Sequence, residues 1–539
     1  MSGVAAGLVI APILLPLLAG AGMLLLHGEK QRAVIAGLNV AATIALVCIA
    51  AVLLGMSDSG TREVYRLGNW PAPFGIVLVL DRLSALMLLL TSVLALASVV
   101  FSLARWHRAG AHFHSLFQFL LMGLNGAFLT GDLFNLFVFF ELLLAASYGL
   151  LLHGSGLARV KAGLHYIVVN LAASLLFLVG VSLIYGVTGT LNMADLAVRV
   201  PHVAPESRGL LEAGAAVLAV AFLLKAGMWP LSFWLPTAYA AASPPVASIF
   251  AIMTKVGVYI ILRLSLLLFG EEAGASAGFG GDWLLWGGLA TIIFGAIGTL
   301  ASQDTARLGG FSVLVSSGTV LAATGIGQAG VTSAALFYLV SSTLGIGAFF
   351  LLVELVERGR EPGADVIAVT REAYGEEDEL DEAEEDVGVA IVATMGLLGV
   401  AFIGCALVIA GLPPLSGFIA KFALLAAALN PGDRSGAVPG SGWALLVVLI
   451  LSGFATLVAM SRAGLRIFWA SPDRTVPRIR AIEMAPVMVL LMICVAQTIL
   501  AGPVIRFMQA TAQSLHAPAG YVSDVLQVGA EGVRQVEGK

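Results

Sequence analysis

Charge is what this sequence lacks: Asp, Glu, Lys and Arg make up 11% of 539 residues, against about 25% in a soluble chain. Apolar residues take their place at 59%. A membrane-spanning helix needs about 20 apolar residues, so fourteen such helices would use about 280 positions, close to the apolar content present. No polar stretch exceeds about 30 residues, which is too short to fold as a separate domain. That excludes a large extramembrane catalytic domain, a nucleic-acid binder and a secreted disulfide scaffold.

Cysteine is equally scarce. Cys48, Cys405 and Cys494 stand singly in apolar runs, without pairing or ligand spacing, and read as small buried hydrophobes. No lysine precedes Ser or Thr, so the Lys-Ser/Thr step of a phosphate-binding loop is missing, and no His-Glu-x-x-His or Cys-x-x-Cys occurs. Within this chain, ATP-driven pumping, zinc chemistry and a bound cofactor have no carrier. No cluster of carboxylates and carbonyls resembles a sodium cage either.

What is present is a series of apolar windows. They fall at 4–26, 33–55, 82–104, 114–131, 133–153, 163–187 and 209–229, then at 243–269, 283–302, 308–327, 332–356, 388–428, 442–470 and 485–509. The first lacks a basic leader and is longer than a signal-peptide core, so it is taken as a span. The expected architecture is an all-α polytopic membrane protein with about 14 spans. Two spans are interrupted. Span 7 ends at Trp229-Pro230 with Pro236 close behind, and span 12 carries Gly411-Leu-Pro-Pro414. Proline removes a helical hydrogen bond, and freed backbone survives at membrane depth only beside protein or a wet cavity. Breaks five spans apart cross the membrane in opposite senses, as in an inverted repeat with sites at the breaks. The expected units are residues 1–110 (spans 1–3), 111–270 (spans 4–8), 280–470 (spans 9–13, with an acidic loop at 358–387) and 485–539. The order within the breaks differs, since Lys225 precedes Pro230 whereas Lys421 follows Pro413 and Pro414.

Odd-numbered loops carry about fifteen Lys and Arg, including Arg105, Arg108, Arg358 and Arg480, against seven in even-numbered loops. The positive-inside rule then places odd loops in the cytoplasm and both termini outside the cytoplasmic membrane. Three of the six lysines, Lys225, Lys255 and Lys421, lie within spans. A charge at the bilayer centre costs about 2.5–3.5 kcal/mol on insertion scales. Glu141, near the middle of span 5, can neutralise one of them. The other two lack a comparably central carboxylate, because Asp132 and Asp304 lie at span ends and Glu354 and Glu357 near the end of span 11. A desolvated lysine titrates within reach of neutral pH, which suits a group that takes and releases protons. Ser248 and Tyr259 share the helical face of Lys255, and His165, Tyr166 and Asn170 in span 6 extend a polar seam. Each has an ordinary helix-packing role as its alternative.

These residues carry a resemblance. Gly126-Ala-Phe-Leu-Thr-Gly-Asp-Leu-Phe-Asn-Leu-Phe-Val-Phe-Phe-Glu141 resembles the fifth-span signature of the D-type subunits of Mrp-type multisubunit sodium/proton antiporters. Leu224-Lys-Ala-Gly-Met-Trp-Pro230 through Tyr239, Ser243-Pro-Pro with Lys255, Gln303-Asp-Thr-Ala-Arg-Leu308 and Gly411 through Lys421 are similar to the same family and to the antiporter-like subunits of respiratory complex I. The likeness covers roughly residues 70–470. It implies that Glu141 and Lys225 form an interacting pair that gates a proton channel, that Lys255 bridges mid-membrane, and that Lys421 ends the second half-channel. Relatives often place a histidine in span 11, where this chain has Tyr338, Ser341, Ser342 and Thr343. A path from Lys255 to Lys421 would then use those hydroxyls with water, and Tyr259 and His165 are further accessory candidates. The implied partners are the other subunits of a hetero-oligomeric complex, Na+ or another monovalent cation, protons and membrane lipids.

The expected function is therefore a proton-translocating subunit of a cation/proton antiporter, not an enzyme. The alternatives are a redox-driven complex I-type or hydrogenase subunit and a stand-alone solute transporter. The acidic content departs from the resemblance: nine of eleven residues from Glu376 to Asp386 are acidic, and without them the chain would carry +4 rather than −5. Such a run reads as a solvated cytoplasmic loop.

Overall fold

The computed structural model describes residues 7–26, 31–60, 62–358, 393–430, 438–468 and 478–527. Among these, nineteen α-helices follow one another, with one two-stranded ribbon. Helices α1 (Ala11–Leu25) and α2 (Arg32–Asp58) precede the antiparallel strands β1 (Glu63–Arg66) and β2 (Val77–Leu80). Then come α3 (Arg82–Ser102), α4 (Phe113–Leu129), α5 (Leu133–Leu151), α6 (Leu157–Thr188), the short α7 (Met193–Arg199) and α8 (Pro205–Ala226). The middle of the chain forms α9 (Leu235–Ala241), α10 (Pro244–Leu268), α11 (Gly281–Ala301), α12 (Thr305–Ile326) and α13 (Ala329–Glu357). The last six are α14 (Ala393–Ala410), α15 (Ser416–Leu429), α16 (Gly440–Phe468), α17 (Ala481–Ile499), α18 (Ala501–His516) and α19 (Ala519–Leu526).

Among the described residues twelve helices are long and apolar enough to cross a membrane, and α1, α4 and α15 are shorter apolar helices. The chain is an all-α, multi-pass membrane protein. The short helices explain how fourteen windows become twelve long helices. Two of them fill windows 1 and 4, and the third is the second half of the broken window 12. Window 485–509 covers two helices, α17 and α18, which meet at Leu500. The β-hairpin lies in a stretch that hydropathy leaves unassigned. The acidic run Glu376 to Asp386 lies outside the described residues.

The two interruptions share a local cause. α8 ends at Ala226-Gly227 and Pro230 follows; α14 ends at Ala410-Gly411 and Pro414 follows. Both glycines are left-handed, with φ of 73° and 79°, a conformation that terminates a helix and suits glycine. Proline four residues on cannot donate the N–H that the Ala226 or Ala410 carbonyl would need. Each span is thus a long helix, a break and a shorter helix.

α10, α12, α13 and α3 form the enclosed centre, while α2, α6, α14 and α16 are peripheral. Glycines set the closest approaches. A Cβ on Gly257 of α10 would lie 2.8 Å from the Ala226 nitrogen, so the α10 backbone abuts the first break. Gly288 and Gly318 do the same between α11 and α12, since small residues let membrane helices gain van der Waals contact.

The even-numbered loops form one end of the bundle. There Gly131 N–H donates to the Val77 carbonyl, Leu133 N–H to the Leu191 carbonyl and Met193 N–H to the Gly131 carbonyl. Buried Arg263 holds Asp81 with two bonds of 2.8 and 2.9 Å, and Arg62 pairs with Asp524 of α19. The odd-numbered loops form the opposite end. Glu354 accepts from Arg105, Trp106 and Arg358, while Arg358 also holds Glu483 of α17.

Candidate functional site

The three lysines are built into the two breaks and the helix between them. Lys225 and Lys421 are each 7% exposed and Lys255 is fully buried. The surrounding helices are apolar, so each ammonium must find its partners from a short list of polar atoms.

Lys225 lies in the last turn of α8, two residues before the left-handed glycine of the break. Its Nζ stands over the Phe140 ring, 4.9 Å from the centroid, a geometry in which the ring face attracts the cation. Glu141 is the next residue along α5. The structure brings it near enough to act on Lys225 electrostatically, but no ion pair within 4 Å joins the two. The Glu141 Oε1 atom is buried without a hydrogen-bond partner among the described residues. Lys225 also lines a small internal cavity of about 10 Å³ with Phe140, Tyr166, Asn170, Trp234 and Tyr239. The Trp234 indole N–H on that lining has no protein partner among the described residues. A space of this size is at the lower limit of what one water needs, and the indole N–H is a donor that such a water would satisfy.

Lys255 takes its partners from α12: its Nζ donates to Ser316 Oγ at 2.7 Å and to Ser317 Oγ at 3.2 Å. Ser316 is in turn 2.7 Å from Ser342 of α13. Ser341, the neighbour of Ser342, is 2.7 Å from Ser416, the first residue of α15 after the second break. Lys421 lies farther along the same helix and folds back across the break, donating to the Ala410 carbonyl at 2.7 Å. That carbonyl is the one that Pro414 leaves without a helical donor. Gly411 makes the fold-back fit, since a Cβ there would lie 2.5 Å from Lys421 Cδ. Two sets of hydroxyl contacts therefore lie between Lys255 and the second break, Lys255 through Ser316 to Ser342 and Ser341 to Ser416, set on adjacent residues of α13.

The accessory candidates divide. Ser341 and Ser342 make these contacts, and Tyr338 lies against Ser316 and Thr319. Thr343 bonds to its own helix at the Leu339 carbonyl. Tyr259 is committed elsewhere: its hydroxyl donates to the Phe128 carbonyl and accepts from Arg263. His165 lies on the outward face of α6, bonded to the Lys161 carbonyl, whereas Tyr166 and Asn170 face the Lys225 cavity. One residue is a 100° step around a helix, which is enough to separate them. Ser316, Ser317 and Ser416 escape a reading of the sequence; for the first two the signal is that Ser312, Ser316, Ser317 and Thr319 fall close together inside an apolar span. Asp132 and Asp304 cap α5 and α12 through the N–H groups of Asn135, Ala306 and Arg307, so they serve helix starts. Among the described residues no group of His, Cys, Asp and Glu could hold a metal ion.

Comparison with known proteins places this arrangement. Residues 130–447 match the family described as NADH:quinone oxidoreductase/Mrp antiporter, TM. The chain is 62% identical over 526 residues to the D-type member of a probable K(+)/H(+) antiporter of Rhizobium meliloti, covering 96% of this chain and 97% of that one. It is 34% identical to the D-type member of the Na(+)/H(+) antiporter of Alkalihalophilus pseudofirmus, covering 96% and 99%. A chain in the structure of the Mrp complex from a Dietzia species superposes with a TM-score of 0.79 at 27% identity, covering 97% of this chain and 99% of that one.

Proposed function

The chain belongs to the NADH:quinone oxidoreductase/Mrp antiporter transmembrane family, and from that premise we propose that it carries protons through Lys225, Lys255 and Lys421 as one subunit of a multisubunit monovalent cation/proton antiporter. It is a transporter component and not an enzyme, as its similarity to the corresponding chains of two antiporters over nearly its whole length indicates.

The observation that carries the proton path is the placement of three buried lysines in an otherwise apolar bundle, with serine hydroxyl contacts lying between Lys255 and the second break. A buried ammonium is costly, and the cost is retained where the group works. Glu141 tunes Lys225 through its field, so that cation or proton arrival near the carboxylate shifts the proton held by Lys225. Because the sites interact, their titrations belong to the set rather than to single residues.

The proposed layout follows the breaks. Spans 4–8 and 9–13 form inverted repeats, supported by the shared Ala-Gly-x-x-Pro at 226–230 and 410–414. The basic odd-numbered loops face the cytoplasm and both termini lie outside, with the chain in the cytoplasmic membrane. The monovalent cation is K+ or Na+, on the names of the two relatives.

The test is exchange by the complete complex in sealed vesicles. Lys255→Ala should abolish cation-dependent proton movement, because a serial path fails at a missing station. Exchange at the wild-type rate in an assembled Lys255→Ala complex would show that protons bypass mid-membrane.

A further inference from the structure

Two cavities flank one side chain. The first is the small space at Lys225. The second is a cavity of about 280 Å³ at the odd-loop end of the bundle, walled by Arg105, Trp106, Glu354, Glu357, Arg358 and the start of α10. Tyr239, on the short helix α9 that follows the first break, is the one residue that lines both. It is 1% exposed. Its ring is held in an aromatic collar, with centroids 5.3 Å from Phe250, 6.3 Å from Trp234 and 6.4 Å from Phe350. Its hydroxyl makes no hydrogen bond among the described residues.

A tyrosine hydroxyl usually hydrogen-bonds, so one without a protein partner on a residue that lines two cavities is placed to bond water. A phenylalanine would fill the collar equally well and offer water no such bond. The outer cavity is walled largely by apolar side chains but carries Arg105, Glu354, Glu357 and Arg358, with Glu354 bonded to both Arg105 and Arg358, so charged groups for water to solvate stand at its wall. The inner one contains the Lys225 amine and the unpartnered Trp234 N–H.

We propose that Tyr239 is the proton gate between Lys225 and the odd-loop face, its hydroxyl passing protons between water in the outer cavity and water or amine at Lys225. In the inward direction the tyrosine oxygen accepts a proton from a hydronium in the outer cavity, which becomes water. As that O–H bond forms, the original O–H bond breaks and its proton passes to the water or free amine at Lys225. The hydroxyl is regenerated, and rotation about the C–O bond resets it. The outward direction is the same sequence reversed. The aromatic collar prevents a continuous water column, so ions larger than a proton do not follow. This deepens the transport reading above and rests on it.

The test uses the complete complex in vesicles, measuring the initial rate of cation-driven proton movement. Tyr239→Phe keeps the ring packing and removes only a hydroxyl that bonds to no described protein atom, so a packing role leaves the rate unchanged. The gate predicts a loss of tenfold or more in an assembled complex. Tyr239→Ser, which leaves a hydroxyl and room for water, should exchange faster than Tyr239→Phe. Wild-type rates in Tyr239→Phe, or a Tyr239→Ser rate no better than that of Tyr239→Phe, would overturn the gate. Lys225→Ala separates this from the broader reading. If Lys225→Ala is inactive while Tyr239→Phe is normal, the relay stands and only the gate falls. If the wild-type complex moves no protons with either K+ or Na+, the transport reading falls with it.

Discussion

At the first break a ring face, rather than a carboxylate, lies against the cation. Lys225 sits over Phe140, and Glu141 on the same helix as that ring acts from beyond ion-pair distance. A bonded pair would hold the ammonium as charged and make it slow to release a proton, whereas a cation over a ring gains only about 0.5–2 kcal/mol. On the proposed reading, a change of charge near Glu141 reaches Lys225 through space, with no bond between them to break. Glu141→Gln removes the carboxylate's field at nearly constant volume. It should lower exchange tenfold or more in the reconstituted complex, with the subunits still co-purifying, and Glu141→Asp should retain part of the rate. Unchanged kinetics in the glutamine variant would remove Glu141 from the mechanism.

At the scale of elements, the second break works because three residues solve one problem. Pro414 frees the Ala410 carbonyl, Gly411 turns the chain in the left-handed region, and Lys421 returns to fill the vacated bond. Gly411→Ala would place a Cβ 2.5 Å from the Lys421 stem and would put alanine in a left-handed conformation, which costs about 1–2 kcal/mol. It should lower the melting temperature of the complex and displace Lys421, reducing exchange. Gly55→Ala, on the peripheral helix α2 where the added methyl meets nothing within 4 Å, is the matched control and should change neither. The breaks themselves were legible in the sequence, because proline and glycine act locally, and so were the lysines, because charge in an apolar span stands out. The serine contacts were not. Serines are ordinary in membrane helices, and contacts such as 255 to 316 and 341 to 416 join residues far apart in sequence. Neither the turn that sends His165 outward nor the commitment of Tyr259 to Arg263 leaves a trace in composition.

At the scale of the whole molecule, charge is distributed by face. The odd-loop end is bound together by Arg105 and Arg358 meeting Glu354 and Glu483, with the Arg480 backbone N–H donating to Glu483 and its guanidinium to the Ala104 carbonyl, and the Tyr239 cavity opens among them. The sequence adds the acidic run from Glu376 to Asp386 to the loop between α13 and α14, on that same side by parity. Its role follows from what it can and cannot contact. Leu380 and Ala383 are its only apolar members, so it offers no anchor of the kind that dominates specific interfaces. Shortening a hydrated loop changes closure entropy little. Deleting Glu376 to Asp386 should therefore leave the complex assembled, with exchange at saturating cation unchanged. If the run concentrates cations near the cavity mouth, the deletion will weaken apparent cation affinity at low ionic strength. That difference should vanish near 0.5 M salt, where screening acts within about 4–5 Å. Loss of partner subunits on purification of the deletion variant would instead make the acidic loop a docking element, against the solvated role expected from its composition.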